Sequence, residues 1–170
     1  MSPWPTCLQG DVVRLRSTAP EDAAALRTIL AKPEVAAWWG PVPGDFPATD
    51  DPDVTRLSVL FEGEVAGLIQ FGEEPEPEYR HATIDIFLDP RLHGRGLGTD
   101  AVLTLVRHLV EERAHHRVTI DPAADNGAAI RCYEKVGFRP VGIMRLAWRD
   151  LTGDWRDVLL MELVKLDGAT

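Results

Sequence analysis

Two cysteines in 170 residues, Cys7 and Cys132, are too few and too far apart for the disulfide framework of a small secreted protein. A reducing, cytoplasmic setting is the expectation. The chain also lacks any apolar stretch of membrane-spanning length, and Ser2, Pro3 and Pro5 interrupt its first ten positions. Neither a membrane span nor a secretory leader is expected. Basic residues are in short supply: 18 Lys and Arg stand against 27 Asp and Glu, a formal charge of -9. That is the wrong sign for coating a phosphate backbone, so nucleic acid is excluded as the main partner. His81, His115 and His116 have no cysteine or carboxylate partner at ligand spacing, so no metal is assigned. His108 reads as solvated beside Glu111 and Glu112. Apolar residues are not lacking. At 45% hydrophobic, residues 1–170 suffice for one domain with a sizeable core.

The acids are unevenly spread. Between Asp45 and Asp89 there are twelve, including Asp50, Asp51, Glu73, Glu74, Glu76 and Glu78, against Arg56 and Arg80. The remainder of the chain is close to neutral. Such loops can simply be solvated, or they can gather a cationic ligand by their field.

Alternation predicts a strand at Val12 to Arg16, and the capping-box spacing of Thr18 and Glu21 predicts a helix buried through Leu26, Ile29 and Leu30. A short helix over Glu34 to Trp39 and a proline-rich loop to Pro52 follow. Arg56 to Phe61 and Val65 to Phe71 read as a hairpin around Gly63, and Glu73 to Glu78 as an acidic loop. Then the pattern changes: a strand at Ala82 to Leu88, a glycine-rich turn at Gly94 to Gly98, a helix from Leu97 to Arg113, and a strand at Arg117 to Ile120. A helix over Asn126 to Val136, capped by Gly137, and strands near Phe138 to Met144 and Trp155 to Val164 complete the chain. Strand and helix alternating in the middle imply a parallel pair; the flanking hairpins imply antiparallel pairing.

The turn His93-Gly94-Arg95-Gly96-Leu97-Gly98-Thr99 follows a strand and opens a helix, so backbone N–H groups converge at the positive end of a helix dipole. This is an anion site by geometry, to which Arg91, Arg95 and the Thr99 hydroxyl can add. Its spacing fits neither the nucleoside-triphosphate loop nor the dinucleotide fingerprint.

The run from Leu88 through Thr99, together with Asn126, Ala129 and Tyr133-Glu134-Lys135-Val136-Gly137-Phe138, resembles the GNAT superfamily of acetyl-CoA-dependent N-acetyltransferases. Aligned on Gly96 and Gly98, His93 stands where the superfamily's phosphate motif carries Gln or Arg; Arg91, Gly94 and Gly96 fit the same string two residues earlier. The resemblance implies an α/β fold with a mixed, mostly antiparallel sheet, a splayed parallel central pair and helices on both faces. It implies a bulge in the strand ending at Leu88, and pantetheine lying in the splay against main-chain groups of Phe87 and Leu88. Acetyl-CoA is then the co-substrate, held by His93, Gly94, Arg95, Gly96, Leu97, Gly98 and Thr99, with Asn126 on the pantetheine or its loop. Tyr133 would protonate the departing thiolate. Cys132, about 100° away on the same helix, is not expected to be a nucleophile.

Within the superfamily, Trp38-Trp39-Gly40, Asp121-Pro122 with Asn126, and Ala129 to Lys135 resemble the aminoglycoside 6'-N-acetyltransferases. By that resemblance Asp85 and Asp121 contact substrate ammonium groups, Asp85 acts as base, and Trp38 and Trp39 wall the sugar site. The acceptor is then a cationic small-molecule amine. A protein N-terminus, a ribosomal protein or a siderophore hydroxylamine remain alternatives, as do a non-catalytic sensor of acetyl-CoA or a cation, and a homodimeric assembly.

Overall fold

Eight strands and four α-helices are described in a computed structural model that covers residues 7–48 and 52–165. Asp50 and Asp51, counted above among the acids, lie outside the described residues. Strands β1 (Cys7–Gln9) and β2 (Arg14–Ser17) form an edge hairpin, with Val13 and Leu15 fully buried beneath it. A single 3-10 turn, Pro20–Asp22, leads into α1 (Ala23–Leu30), and α2 (Pro33–Trp39) follows directly.

The expected cap at Thr18 is replaced by a different device. Asp22, 3% exposed, accepts the Ala19 N–H at 3.0 Å, both ends of the Arg16 guanidinium at 2.7 and 2.8 Å, and the Ser58 hydroxyl at 2.7 Å. One carboxylate thus ties the helix start to β2 and to the middle of the sheet.

Strands β3 (Val54–Phe61) and β4 (Glu64–Glu74) form the expected hairpin. Glu62 and Gly63 both have positive φ, 51° and 86°, as a two-residue turn with the twist of its strands requires. Strand β5 (His81–Leu88) lies antiparallel to β4 in regular register to Leu88. The irregularity that the resemblance put in β5 falls instead at Ala66 in β4, opposite the Val59/Leu60 step of β3. After the turn come α3 (Leu97–Arg107), a π-helical turn (His108–Glu112), β6 (Arg117–Ile120), α4 (Gly127–Val136), β7 (Arg139–Arg149) and β8 (Trp155–Val164).

The sheet order is β1-β2-β3-β4-β5-β6-β8-β7, antiparallel throughout except for β5 and β6. That parallel pair is joined only at Ala82–Val118 and Thr83–Thr119. Beyond Ile120 the chain turns to β8: Leu159 N–H bonds Pro122 O at 2.9 Å, Ala124 N–H bonds Asp157 O at 3.0 Å, and Ala123 bridges Val158. The parallel pair therefore splays, as expected.

Two apolar clusters flank the sheet. Ala82, Ile84 and Leu88 of β5 pack with Leu97, Val102, Leu105 and Tyr133, while Leu68 and Phe87 pack with Leu26, Leu30 and Phe46 on the α1 and α2 side. Strand alternation places Asp85 on the Phe87 side.

Burial alone would raise the Asp22 carboxyl, but the bonds from Arg16, Ala19 and Ser58 hold it below its ordinary value of 3.8. Its contribution to stability is therefore present above that pH and fades as pH falls through the lowered native value. Asp22→Ala should cost about 2–4 kcal/mol in urea unfolding at pH 7, because a buried donor set loses its acceptor.

Candidate active site

The glycine turn is anchored by a residue with no assigned role in the sequence. Asp89, 2% exposed, accepts Lys32 Nζ at 2.6 Å, the Arg91 N–H at 3.0 Å and the Arg91 guanidinium at 2.6 and 3.0 Å. Its own N–H donates to Ala66 O at 2.8 Å. Arg91, with Lys32, holds the Asp89 carboxyl well below its usual range.

From that anchor the chain turns through Gly94 and Gly96, both left-handed at φ 74° and 79°, where L side chains are strained. A Cβ at either would point into open space, so the backbone there is open to approach. Helix α3 then begins at Leu97, as its spacing predicts, and its first N–H groups face the same space. At Gly98 a Cβ would stand 3.4 Å from Cys132 Sγ and Leu88 Cδ1, so this glycine brings α3 close to α4.

The splay opens into a cleft of about 680 Å³ that runs from this turn to the ends of β5 and β6. Except for Arg91, whose guanidinium is taken up by Asp89, and Arg95, the residues expected at the site border it: Trp38, Trp39, Asp85, Phe87, Leu88, His93, Gly94, Gly96, Leu97, Gly98, Thr99, Asp121, Asn126 and Tyr133. Arg95 turns away and lays its guanidinium over the Phe61 ring, 4.8 Å from the centroid. Several others are occupied in part. Phe87, Leu88 and Leu97 are buried in the core, leaving their main chain as the free element. Trp39 packs edge-on against Phe87 at 4.8 Å, whereas Trp38 is 44% exposed at the rim. Asn126 caps α4 through its side-chain oxygen, which accepts the Ala129 N–H at 3.2 Å. The Thr99 hydroxyl is 3.4 Å from Cys132 Sγ. Cys132 thus lines the cleft, but burial raises its thiol, which does not favour a thiolate nucleophile.

The electrostatics fall into an acidic and a protonated side. Burial raises the Asp85 carboxyl, and a bond from Gln70 opposes the rise. Asp121 is raised to about 6, first by burial and then by the charge of Asp85. Tyr133, 7% exposed, is raised by burial, then by Cys132, Asp85 and Asp121, so its hydroxyl keeps its proton.

Two features of the acidic segment differ from the sequence reading. Glu73 belongs to β4 rather than to a loop, and takes Arg113 (2.8 and 2.5 Å) and the buried His115 Nε2 (2.6 Å). Asp89 is the anchor described above. Neither contributes an unpaired charge to a field. His108 is also not solvated: it is 5% exposed with Nδ1 3.2 Å from Glu112.

The acetyltransferase (GNAT) family model matches residues 17–138. The chain belongs to the GNAT acetyltransferase family. Like its relatives it is an acetyl-CoA-dependent N-acetyltransferase. It is 30% identical over 154 residues to the aminoglycoside N(6')-acetyltransferase type 1 of Klebsiella pneumoniae, covering 78% of this chain and 76% of the relative. It is 36% identical over 84 residues to N-alpha-acetyltransferase RimI of Mycobacterium tuberculosis, about half of each chain. The structure of aminoglycoside acetyltransferase AAC(6')-Ib with coenzyme A superimposes with a TM-score of 0.72 at 27% identity, covering 89% of this chain and 94% of that one. Among the described residues no helix of this GNAT enzyme is long and apolar enough to cross a membrane.

The cleft also holds residues that the sequence did not single out. Glu34, Arg131, Lys135 and Trp148 line it. Trp148 follows a two-residue register break in β7 where Leu146 adopts φ 51°, and strand pairing puts it on the same face as Val158. Only that register, invisible in the sequence, brings it to the cleft.

Asp121 should titrate near pH 6 by carboxyl-carbon NMR in the ligand-free enzyme. In Asp85→Asn its value should fall, since a neighbouring negative charge is removed; a value that stays or rises contradicts the coupling.

Proposed function

We propose that this GNAT enzyme transfers an acetyl group to a primary amine of a cationic small molecule, of which the 6'-amine of an aminoglycoside is the best match, and that it does so in the cytoplasm. The observation that carries the reading is the meeting, across one cleft, of two carboxylates with raised pKa and a buried, protonated tyrosine.

The residues fit acetyl-CoA. Backbone N–H groups at Gly96 to Thr99, with open space above Gly94 and Gly96, suit a pyrophosphate at a helix N-terminus. Beyond Thr83 the β6 side of β5 has no partner strand, so main-chain groups of Phe87 and Leu88 can receive an extended pantetheine as an added strand. Acetyl-CoA supplies the activated acyl carbon.

This chain's own groups manage the protons. An ammonium cannot attack until it sheds one, so Asp85, in the cleft beside the opening, takes that proton first and the neutral amine then bonds to the acyl carbon. Tyr133 donates its proton to the sulfur as the carbon–sulfur bond breaks, and the second proton of the attacking nitrogen, released as the amide forms, restores the tyrosine. Asp121 and exposed Trp38 are left to hold the rest of a polycation, with the indole face suited to positive charge. The similarity to aminoglycoside acetyltransferases supports this acceptor class.

Thiol release from acetyl-CoA with a panel of amines tests the reading: aminoglycosides should turn over, and their kcat/KM should fall steeply between about 0.1 M and 1 M salt as the Debye length shrinks from about 10 Å to about 3 Å. Turnover of an N-terminal peptide or a hydroxylamine, with no aminoglycoside turned over, would place the enzyme elsewhere in the family. Tyr133→Phe should lower kcat by about 10²- to 10⁴-fold, or about 3–5 kcal/mol, with acetyl-CoA affinity retained; a loss under threefold returns Tyr133 to a packing role. Gly96→Asp should abolish acetyl-CoA binding in calorimetry while the fold persists.

A further inference from the structure

Asp85 is the last member of a polar row. Strand register makes Arg56, Gln70 and Asp85 direct neighbours on β3, β4 and β5, so their side chains share one face of the sheet. Arg56 Nε donates to Gln70 Oε1 at 3.0 Å, and Gln70 Nε2 donates to Asp85 Oδ2 at 3.2 Å. Arg56 is held from behind, its Nη1 donating to Pro47 O at 2.8 Å and Ala48 O at 2.6 Å.

The chemistry of the row fixes its direction. A guanidinium carries only donors, so it can bond only the oxygen of the Gln70 amide. The NH2 end must then face Asp85, and it cannot flip without leaving Arg56 against another donor. Gln70 engages one carboxylate oxygen; among the described residues Oδ1 has no hydrogen-bond partner, and Asp85 borders the cleft. We propose that Gln70, oriented by Arg56, is the positioning residue for Asp85, holding Oδ2 so that Oδ1 meets the substrate amine and favouring the charged carboxylate that can accept a proton. The proposal rests on the reading of Asp85 as the base.

The balance at Asp85 supports this. Burial drives its carboxyl toward the neutral form, and the Gln70 bond opposes it. Titratable and charged groups that border the cleft with it are Asp121 on the β6 side, Arg131, Cys132, Tyr133 and Lys135 on α4, Glu34 on α2 and His93 in the glycine turn. None of these hydrogen-bonds it. A donor that bonds the ionised carboxylate more strongly than the neutral acid lowers the pH at which the base becomes available.

The test is the pH profile of kcat in the full enzyme with an amine acceptor. The acidic limb that belongs to Asp85 is the one lost in Asp85→Asn; the ionisation of the free amine does not enter kcat. Gln70→Met keeps the length and removes the donor. It should move that limb up by about 0.5 to 1 pH unit, with the alkaline plateau within about threefold and acetyl-CoA affinity unchanged. Gln70→Glu keeps the shape and the Arg56 contact but sets a second carboxylate beside Asp85, so the limb should rise at least as far even if Gln70→Met folds poorly. A limb that stays in place in either folded variant, or a lowered plateau with no movement of the limb, overturns the proposal. A limb that survives Asp85→Asn overturns the assignment of the base itself, and the proposal with it.

Discussion

Two residue pairs, Ala82–Val118 and Thr83–Thr119, join the five-stranded part of the sheet to the remaining three strands. Everything chemical in the molecule follows from how soon that junction ends. Past Ile120 the backbone groups of Pro122 to Ala124 are satisfied by β8, so β6 is drawn away and β5 keeps an open edge. Unpaired backbone is tolerated where it faces a ligand, and the opening lets side chains from both faces of the sheet reach one cleft. Asp85 comes from the α1 and α2 side, Tyr133 from the α4 side. A closed parallel pair would have kept them apart.

The supporting charges are spent on holding that geometry. Asp89 ties the end of β5 to Lys32, the residue before α2, and to the glycine turn, Glu73 ties the last residues of β4 to the segment after α3 through Arg113 and His115, and Asp22 ties α1 to β2 and β3. Asp22 and Asp89 are buried and Glu73 largely so, although Arg91 among their partners is exposed, and removing the basic partners of a buried acid is costly. Asp85 and Asp121 sit at the splay. The acids therefore fall into two groups: a few carboxylates staple the scaffold, and two with raised pKa, Asp85 and Asp121, stand at the splay, where the proposed function gives the first to the amine's proton and the second to the rest of the cation.

Much of this was legible in the sequence, for reasons that differ by residue. Helix ends were readable where the signal is local: Leu97 after Gly96, a helix starting at Asn126 and closed by Gly137 in the left-handed conformation, the Glu62-Gly63 turn. The assembly of the site was readable through two motifs whose spacing spans a helix and a strand. What was not legible depends on register between distant strands. Gln70 meets Asp85 fifteen positions away, Glu73 meets His115, and Trp148 reaches the cleft after a register break in β7. Arg95 was misplaced for a related reason: its partner, Phe61, comes from a strand far away in sequence. Thr18 lost its capping role to Asp22 because Arg16 and Ser58, neither adjacent to Asp22 in sequence, favour the carboxylate.

Backbone amide hydrogen exchange, with and without acetyl-CoA, tests the open edge of β5 most directly. The account predicts that added acetyl-CoA slows exchange in the segment from Asp85 to Leu88 and at the start of α3, Leu97 to Thr99, while the β1–β2 hairpin is unchanged. Protection confined to other strands, with β5 and the glycine turn exchanging as before, would contradict it.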